Sequence, residues 1–341
     1  MPAGTPSPHP DPSVPDFDRP LVEVDHLTIH FPVGRSRLLG RQQQVVHAVE
    51  DVSFSINRGE TLGLAGESGS GKTTTGRAIL RRIDPKRGTI RFRGRDITQS
   101  SGQALRHLRR HMQLVFQDPY ASLNPRMNVL DLVAEPLIVH GIYNSTDDAR
   151  EYVLELLEQC GLSADTADRF PHAFSGGQRQ RIGIARAIGL RPEFIVADEP
   201  VSALDVSIRA QVVNLLQDLQ DELGITYLFI AHDLSVVRHI SNRVAIMYAG
   251  QIVEIADRDT IYERPLHPYT EALLSSIPVP NPQLQRDRRR IVLSGEIPDT
   301  LEPPSGCRFA SRCPLVEERC HVEMPSLSPR SETHDAACWV R

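Results

Sequence analysis

The stretch TLGLAGESGSGKTTTGRAIL, residues 61–80, decides the fold. A short apolar run is followed by a glycine-rich loop at residues 66–73 and then by a helical pattern. Glycines let successive backbone N–H groups turn toward one point, and the positive end of the following helix faces the same point. A strand, a G-x-x-x-x-G-K-[ST] loop and a helix in this order are typical of a site for nucleotide phosphates. The sequence therefore predicts a nucleoside triphosphate site here, and the alternative is a merely flexible glycine loop.

Two side chains of this loop have specific expected roles. Lys72 reaches the β- and γ-phosphates, and the hydroxyl of Thr73 holds Mg²⁺. We call residues 66–73 the phosphate loop. The nucleotide-binding residues predicted here are Gly66, Glu67, Ser68, Gly69, Ser70, Gly71, Lys72, Thr73 and Thr74.

A second stretch, PEFIVADEP at residues 192–200, ends an apolar run with two carboxylates. Such a run suits a strand that is buried on both faces of a parallel sheet and whose carboxyl end opens on a ligand crevice. We expect Asp198 to hold the Mg²⁺ shell through water and Glu199 to act as the general base for the attacking water. An acidic pair after a strand also occurs as a helix cap or turn, and the phosphate loop favours the catalytic interpretation.

Composition and charge narrow the class of protein. The chain has 341 residues, 40% hydrophobic and 24% charged, which is typical of an ordinary globular protein of about two domains. The net charge of −5 argues against a duplex nucleic acid as partner. No apolar stretch approaches the ~18 residues of a membrane span, and no secretory signal is visible. We therefore expect a cytosolic chain with reduced thiols.

The order of patterns along the chain predicts three regions. Residues 1–20 are rich in proline and are expected to be a disordered leader. Strand-like and helix-like stretches then alternate, which indicates an α/β core at residues 21–260 with a mainly helical part at about residues 118–190. The composition changes again at residues 261–341, where prolines, a basic linker and four cysteines form a C-terminal extension.

Two further stretches carry a family resemblance. FSGGQRQRIGIARAIGL, residues 174–190, places a second anion site at a helix start, and ITYLFIAHD, residues 225–233, is another apolar strand that ends in His232. Together with the stretches above, they resemble the ATP-binding subunit of an ABC transporter over roughly residues 20–256. The implied fold is a P-loop NTPase ABC ATPase core with a helical subdomain, followed by the small cysteine-containing extension.

The resemblance implies roles for individual residues. Residues 66–73 are similar to Walker A, the pair Asp198 and Glu199 to Walker B, and His232 to the switch histidine. Gln117 is similar to the Q-loop glutamine, which senses the γ-phosphate with His232 and contacts Mg²⁺. The remaining residues implied at the nucleotide are the signature residues Ser175, Gly176, Gly177 and Gln178, the D-loop Asp205, and Phe31 as the adenine-stacking aromatic. The family works as a head-to-tail dimer in which each ATP lies between Walker A of one chain and the signature of the other.

Two more stretches and the tail resemble the dipeptide and oligopeptide import branch: VFQDPYASLNPRMNV at residues 115–129 and HPYTEALLSSIPVP at residues 267–280. The opening HFPV, residues 30–33, is similar to the second ATPase subunit of such importers. The implied partners are a sister ATPase in a heterodimer, two transmembrane permeases and an external peptide-binding protein, with membrane contact only through the permeases at the cytoplasmic face. Nickel, glutathione or another small solute remains an alternative cargo. A soluble ABC ATPase of the phosphonate-breakdown type remains an alternative function.

The tail cysteines Cys307, Cys313, Cys320 and Cys338 are separated by five, six and seventeen residues. This spacing lacks the C-x₂-C pairs typical of structural zinc. Four thiolates complete the coordination of a [4Fe–4S] cluster, and Pro314 after Cys313 is similar to the Cys-Pro of some ferredoxin motifs. The resemblance adds that some members of the branch carry such a cluster. A zinc ion and metal-free thiols stay open as alternatives.

Overall fold

A computed structural model of the chain describes residues 19–33, 44–118, 123–278 and 291–341. The predicted leader lies almost entirely outside these ranges. Parts of the two importer-like stretches, residues 115–129 and 267–280, also lie outside them, and so does the basic linker that follows the second stretch. The strands are β1 (Val22–Val33), β2 (Gln44–Ile56), β3 (Thr61–Ala65), β4 (Arg87–Phe92), β5 (Arg95–Asp96), β6 (Met112–Val115), β7 (Phe194–Asp198), β8 (Thr226–Ala231), β9 (Arg243–Tyr248), β10 (Gln251–Asp257), β11 (Ser328–Ser331) and β12 (His334–Ala336).

The helices of the described residues, apart from short 3-10 turns, lie among these strands, and three of them follow one another between β6 and β7. They are α1 (Lys72–Ile79), α2 (Gly102–His111), α3 (Val129–Val139), α4 (Thr146–Gln159), α5 (Gly176–Ile188), α6 (Val206–Leu223), α7 (Leu234–Ile240), α8 (Arg258–Glu263), α9 (Pro268–Ser275) and α10 (Glu318–Val322). In the part of the chain that the structure describes, no helix has the length and apolar character needed to cross a bilayer.

The described strands form two sheets. The smaller is antiparallel with the order β2-β1-β4-β5, and the larger has the order β11-β12-β10-β9-β3-β8-β7-β6. Strands β9, β3, β8, β7 and β6 run parallel to one another, and β10 pairs with β9 in the antiparallel direction. Because the carboxyl ends of parallel strands meet at one edge, the residues that follow β3, β7 and β8 come together there. That edge carries the candidate site.

The core lies on both faces of the larger sheet. Along β7, Ile195 and Ala197 pack toward the helices, whereas Phe194 and Val196 pack toward the smaller sheet. All five residues of β7 are buried. This explains why the strand reads as a continuous apolar run rather than an alternating one.

The predicted helical part of the chain contains α3, α4 and α5, and polar residues mark where these helices begin. Asn128 caps α3 by accepting a hydrogen bond from the N–H of Asp131 at 2.8 Å. Ser145 caps α4 in the same way through Asp148. Apolar faces of all three helices pack into one cluster with the large sheet. The helical part therefore shares one hydrophobic core with the large sheet, whose edge carries the candidate site.

The C-terminal extension is docked onto the ATPase core. Strand β12 pairs with β10, so that the tail lengthens the large sheet. Phe309 is fully buried against the rings of Tyr248 and Tyr269. Glu254, also fully buried, accepts hydrogen bonds from the N–H groups of Leu266 and His267. A short, proline-rich tail can build little core by itself, and this docking supplies one from the ATPase part of the chain.

Candidate nucleotide site

The phosphate loop joins β3 to α1 at the nucleotide edge of the sheet. Gly71 caps α1 with φ 103°, a left-handed conformation that favours glycine. A Cβ atom on Gly71 would lie 2.5 Å from the carbonyl oxygen of Ala48 on β2. Glycine is therefore required both by the backbone conformation and by the close approach of β2.

Lys72 points into the middle of the phosphate loop. Its ammonium donates to the carbonyl oxygens of Gly66 at 2.9 Å and Glu67 at 2.8 Å, and the residue is 4% exposed. Burial lowers the pKa of Lys72, against the opposing effect of the negative charges of Glu199, Asp198 and Glu67. The loop carbonyls thus hold the ammonium where phosphate oxygens can replace them.

Thr73 and Asp198 bring two oxygen ligands together beside the loop. The Thr73 hydroxyl donates to Asp198 Oδ1 at 2.7 Å, and Asp198 is 2% exposed. Burial raises the pKa of Asp198, while the hydrogen bond from Thr73 and the guanidinium of Arg77 at 3.9 Å oppose this rise. A hydroxyl and a carboxylate are oxygen donors of the kind that Mg²⁺ prefers, so these residues fit the ion.

Glu199 is held at the centre of the site. Its N–H donates to the Ile230 carbonyl at 2.9 Å on the neighbouring strand, and its φ of 47° is unusual for a residue other than glycine. Its Oε2 atom accepts from Gln117 Nε2 at 3.0 Å and lies 3.2 Å from His232 Nδ1. Residues that follow β6, β7 and β8 therefore meet on one carboxylate oxygen.

A cavity of about 510 Å³ opens at this point and is lined by nine of the predicted residues. Those nine are Ser68, Gly69, Gly71, Lys72, Thr73, Thr74, Gln117, Glu199 and His232. The lining also includes Val46, Ala48 and Thr300, which sequence reasoning missed. Thr300 lies in the extension, and its carbonyl accepts from the N–H of His47 at 2.9 Å. No sequence pattern marks Thr300, because this contact depends on the docking of the extension.

Phe31 lies near this cavity but is not among its described lining residues. It is 36% exposed and faces Val46 across the β1–β2 ladder. Paired residues of an antiparallel ladder project from the same face, so Phe31 neighbours one lining residue. Its adenine-stacking role stays a prediction.

The predicted signature residues lie away from the cavity. Ser175 caps α5 through a capping box with Gln178, in which its hydroxyl accepts from the Gln178 N–H at 3.3 Å. A Cβ atom on Gly177 would collide with the Ile208 side chain of α6, and Asp205 occupies the N-cap position of that helix. Of the described residues that line the cavity, none belongs to residues 175–178. The start of α5, which is the second predicted anion site, therefore lies apart from the cavity beside the phosphate loop.

The four tail cysteines are grouped in the extension with free thiols. Cys320 and Cys338 are buried, and Cys307 and Cys313 are partly buried. The N–H of Cys307 donates to the Cys320 carbonyl at 2.8 Å. Burial raises the pKa of Cys307 to about 11 and also raises that of Cys313, with contributions from the other thiols of the group. The four thiols interact electrostatically with one another. In the described part of the chain, no three of their sulfur atoms all lie within 4.8 Å of one another.

Comparison with known proteins identifies the class of protein that this fold and this site define. The family model described as "ABC transporter" matches residues 49–202. The post-hydrolysis dimer of the ATP-binding cassette MJ0796, bound to ADP and Pi, aligns with a TM-score of 0.61 and 29% identity, covering 70% of this chain and 98% of that one. The chain has the fold of the ABC ATPases, as the sequence predicted.

The extension and the curated relatives narrow the family further. The model described as "Oligopeptide/dipeptide transporter, C-terminal region" matches residues 253–320. YkfD of Bacillus subtilis is 52% identical over 94% of this chain and 95% of its own length. AppF of the same organism, named an oligopeptide transport ATP-binding protein, is 50% identical over 94% of this chain and 97% of its own. The chain belongs to the ATP-binding proteins of the oligopeptide/dipeptide ABC transporter family and is an ATPase of that family.

Proposed function

We propose that this chain hydrolyses ATP to power the import of dipeptides or oligopeptides through partner permeases. The observation that carries the proposal is the meeting of Gln117, Glu199 and His232 beside the phosphate loop of a chain that also has the family's C-terminal extension. The relatives named for oligopeptide transport support the same cargo class. For that reason we propose di- and oligopeptides as the cargo, rather than nickel, glutathione or another small solute.

The hydrolytic step follows from the positions of the side chains. Residues 66–73 act as Walker A, in which backbone N–H groups and Lys72 bind the β- and γ-phosphates. Glu199 accepts the proton of the attacking water, and Gln117 and His232, which already contact its Oε2 atom, orient that carboxylate toward the γ-phosphate.

Thr73, Asp198 through water, and Gln117 would hold Mg²⁺. The ion would supply positive charge that offsets the charge of the β- and γ-phosphates. Thr73 and Asp198 are already joined by a hydrogen bond of 2.7 Å, so their oxygens face each other without rearrangement. Substituting Thr73 should therefore weaken the dependence of nucleotide affinity on Mg²⁺.

We further propose a head-to-tail heterodimer with a sister ATPase. The separation of residues 175–178 from the cavity of their own chain supports this arrangement, because two anion sites on one chain can then serve two nucleotides. Two transmembrane permeases and an external peptide-binding protein complete the assembly. The chain itself would be peripheral, at the cytoplasmic face of the membrane, with residues 21–260 as the nucleotide-binding domain and residues 261–341 as its extension.

Peptide uptake by cells tests the transport proposal. A strain that lacks the chain should lose uptake of labelled oligopeptides, and wild type should restore it where Lys72→Ala does not. Purification of the tagged wild-type chain from membranes should recover the permeases and the sister ATPase. Normal peptide uptake in the deletion strain, with lost uptake of nickel or glutathione, would contradict the cargo class. Recovery without any permease would instead favour the soluble ABC ATPase alternative.

For the tail, we propose a [4Fe–4S] cluster held by Cys307, Cys313, Cys320 and Cys338. The four free thiols interact with one another in one small part of the chain, and this supports the proposal, because four thiolates complete the coordination of such a cluster. The cluster would be structural and would link distant parts of the extension. Purification without oxygen should give a brown protein that absorbs near ~400 nm with about four irons per chain. A colourless anaerobic preparation with zinc, or without metal, would contradict the cluster.

A further inference from the structure

A cluster of two histidines and one glutamate stands on the β1–β2 ribbon, outside the residues assigned to ATP. Within the described ranges of the chain, His30, His47 and Glu50 are the one group of three metal-ligating side chains whose ligand atoms all lie within 4.8 Å of one another. We propose that these three residues form a binding site for a divalent transition metal ion of the zinc type. Two imidazoles and one carboxylate are a known zinc donor set that leaves a fourth position open for water.

The distances are close to those that a zinc ion requires. His30 Nε2 and His47 Nδ1 each lie 2.8 Å from Glu50 Oε2, and the two imidazole centroids are 4.1 Å apart. Ligands about 2.1 Å from a tetrahedral ion are about 3.4 Å from one another. Each nitrogen therefore has to withdraw from the carboxylate by only about half an ångström to admit the ion.

A β-bulge creates this arrangement. Ile29 pairs with Val49 and His30 pairs with His47, so Ala48 is an extra residue on β2. In a regular strand, side chains three positions apart point to opposite faces, but the extra residue returns Glu50 to the face of His47. The backbone of Glu50 is fixed by its N–H donating to the Gly250 carbonyl at 2.8 Å. The ligand positions are thus set by the backbone and do not depend on flexible loops.

Two cations border the cluster and act differently on it. Arg308 of the extension lies 3.8 Å from Glu50 Oε2, and its buried guanidinium also donates to the Ala249 carbonyl, so it stays in place. The exposed Lys86 ammonium lies 2.8 Å from His30 Nδ1. Because an ammonium only donates, it keeps the ring proton on Nε2, the nitrogen that a metal would take. Lys86 therefore competes with the ion and must move away when the ring proton shifts to Nδ1.

The position of the cluster connects it to nucleotide binding. His47 lies between Val46 and Ala48, which both line the nucleotide cavity, and its N–H is bonded to Thr300 of the extension. A metal ion would hold β1 and β2 together where they approach the phosphate loop. If the ion changes ATP affinity, ATP changes metal affinity by the same factor.

Zinc titration of the full-length chain against a chromogenic chelator tests the site. The tail cysteines can also take zinc, so wild type is compared with His47→Gln, Glu50→Gln and Cys313→Ser. We expect His47→Gln and Glu50→Gln to weaken one class of bound zinc at least ten-fold, and Cys313→Ser to leave that class unchanged. We expect Lys86→Met to tighten the same class about three-fold, because a competing cation is removed.

The identity of the ligands is checked separately with Co²⁺. The site should give visible d–d bands that disappear in His47→Gln, without the near-ultraviolet thiolate bands that the cysteines would add. Equal zinc binding by wild type and His47→Gln would overturn the proposal, and so would an unchanged affinity in Lys86→Met. Lys86 is exposed and its substitution does not threaten folding, so the proposal can be tested even where Glu50→Gln is unstable. The titration does not depend on hydrolysis, so a failed ATPase assay and a failed metal site are distinguishable.

Discussion

Arg312 of the extension forms a two-point ion pair with Glu67 of the phosphate loop. Its Nη1 lies 2.9 Å from Glu67 Oε2, and its Nη2 lies 3.2 Å from Glu67 Oε1. The hydrogen bonds to Glu67 raise the pKa of Arg312 further above its ordinary value. The backbone N–H of the same glutamate donates to the hydroxyl of Tyr269 at 2.9 Å. The residue adjacent to Cys313 is thus bound directly to the loop that is expected to hold the phosphates.

We predict that Arg312→Gln weakens ATP binding about five-fold, because Glu67 loses a partly buried charged partner and the loop becomes less ordered. Arg312→Lys should lie between wild type and Arg312→Gln, since an ammonium cannot make both contacts. Equilibrium binding of ATP measures the effect. Arg319→Gln is the matched control, because Arg319 pairs with Glu323 in the same extension without touching the loop. Equal losses in Arg312→Gln and the control would contradict the coupling.

Glu199→Gln should leave ATP binding intact and lower turnover by a factor of about 10² or more, because it removes the base but not the phosphate cradle. Binding is measured at equilibrium and turnover by phosphate release. Glu222→Gln on the exposed face of α6 serves as the control. Retention of more than about a tenth of wild-type hydrolysis would assign the base role to another residue.

The parts of the molecule that the sequence could predict are those with local patterns. The phosphate loop, the strand that ends at Asp198 and the strand that precedes His232 each combine a buried apolar run with polar residues at its carboxyl end. Because parallel strands bring these ends to one edge, local patterns predict that the residues after these strands lie close together, whereas the roles of Gln117 and His232 were implied by the family resemblance. The structure brings them together around one cavity, and their chemical roles stay predictions.

Contacts that depend on the docking of the extension could not be predicted. Glu67 and Arg312 are 245 residues apart, and neither belongs to a pattern that would pair them. Strands β11 and β12 have four and three residues with polar sequences, so they show no alternation from which a strand could be inferred. The β-bulge at Ala48 is likewise invisible, because register is set by pairing and not by the sequence of one strand.

Ser175→Arg in this chain should damage the nucleotide site built on the phosphate loop of the sister ATPase. The large cation would disturb the cap of α5, which is expected to face the partner's nucleotide. A mixed dimer with one mutated chain, assayed for the occupancy of each site, makes the distinction. Ser145→Arg, at the cap of a helix that does not face a nucleotide, is the control. Loss of the site that contains Lys72 of the same chain would contradict the head-to-tail arrangement.

Glu254→Gln should loosen the extension and lower the free energy of unfolding by about 2–4 kcal/mol. The buried carboxylate accepts from two backbone N–H groups and from His334 Nε2 at 2.7 Å. A glutamine would turn an N–H donor toward one of these donors and leave it without a bond. Urea unfolding and limited proteolysis of the tail measure the change. Glu332→Gln, on the exposed turn between β11 and β12, is the control, and an equal effect there would contradict the role of Glu254.

The metal-free chain should lose stability as the pH rises from about 9 toward 11. Burial raises the pKa of Cys307 from its ordinary value of 9.0 to about 11, so the unfolded chain gives up this proton first. In that window the native state binds more protons than the unfolded state, and stability therefore falls with increasing pH. Urea midpoints at pH 7.5 and pH 10, measured with a reductant, should differ more for wild type than for Cys307→Ser, which cannot ionise. A chain whose thiolates are held by a metal should lack this part of the decrease, because its Cys307 has no proton left to release. Identical pH dependence in the metal-free wild type and Cys307→Ser would contradict burial of a neutral thiol at this position.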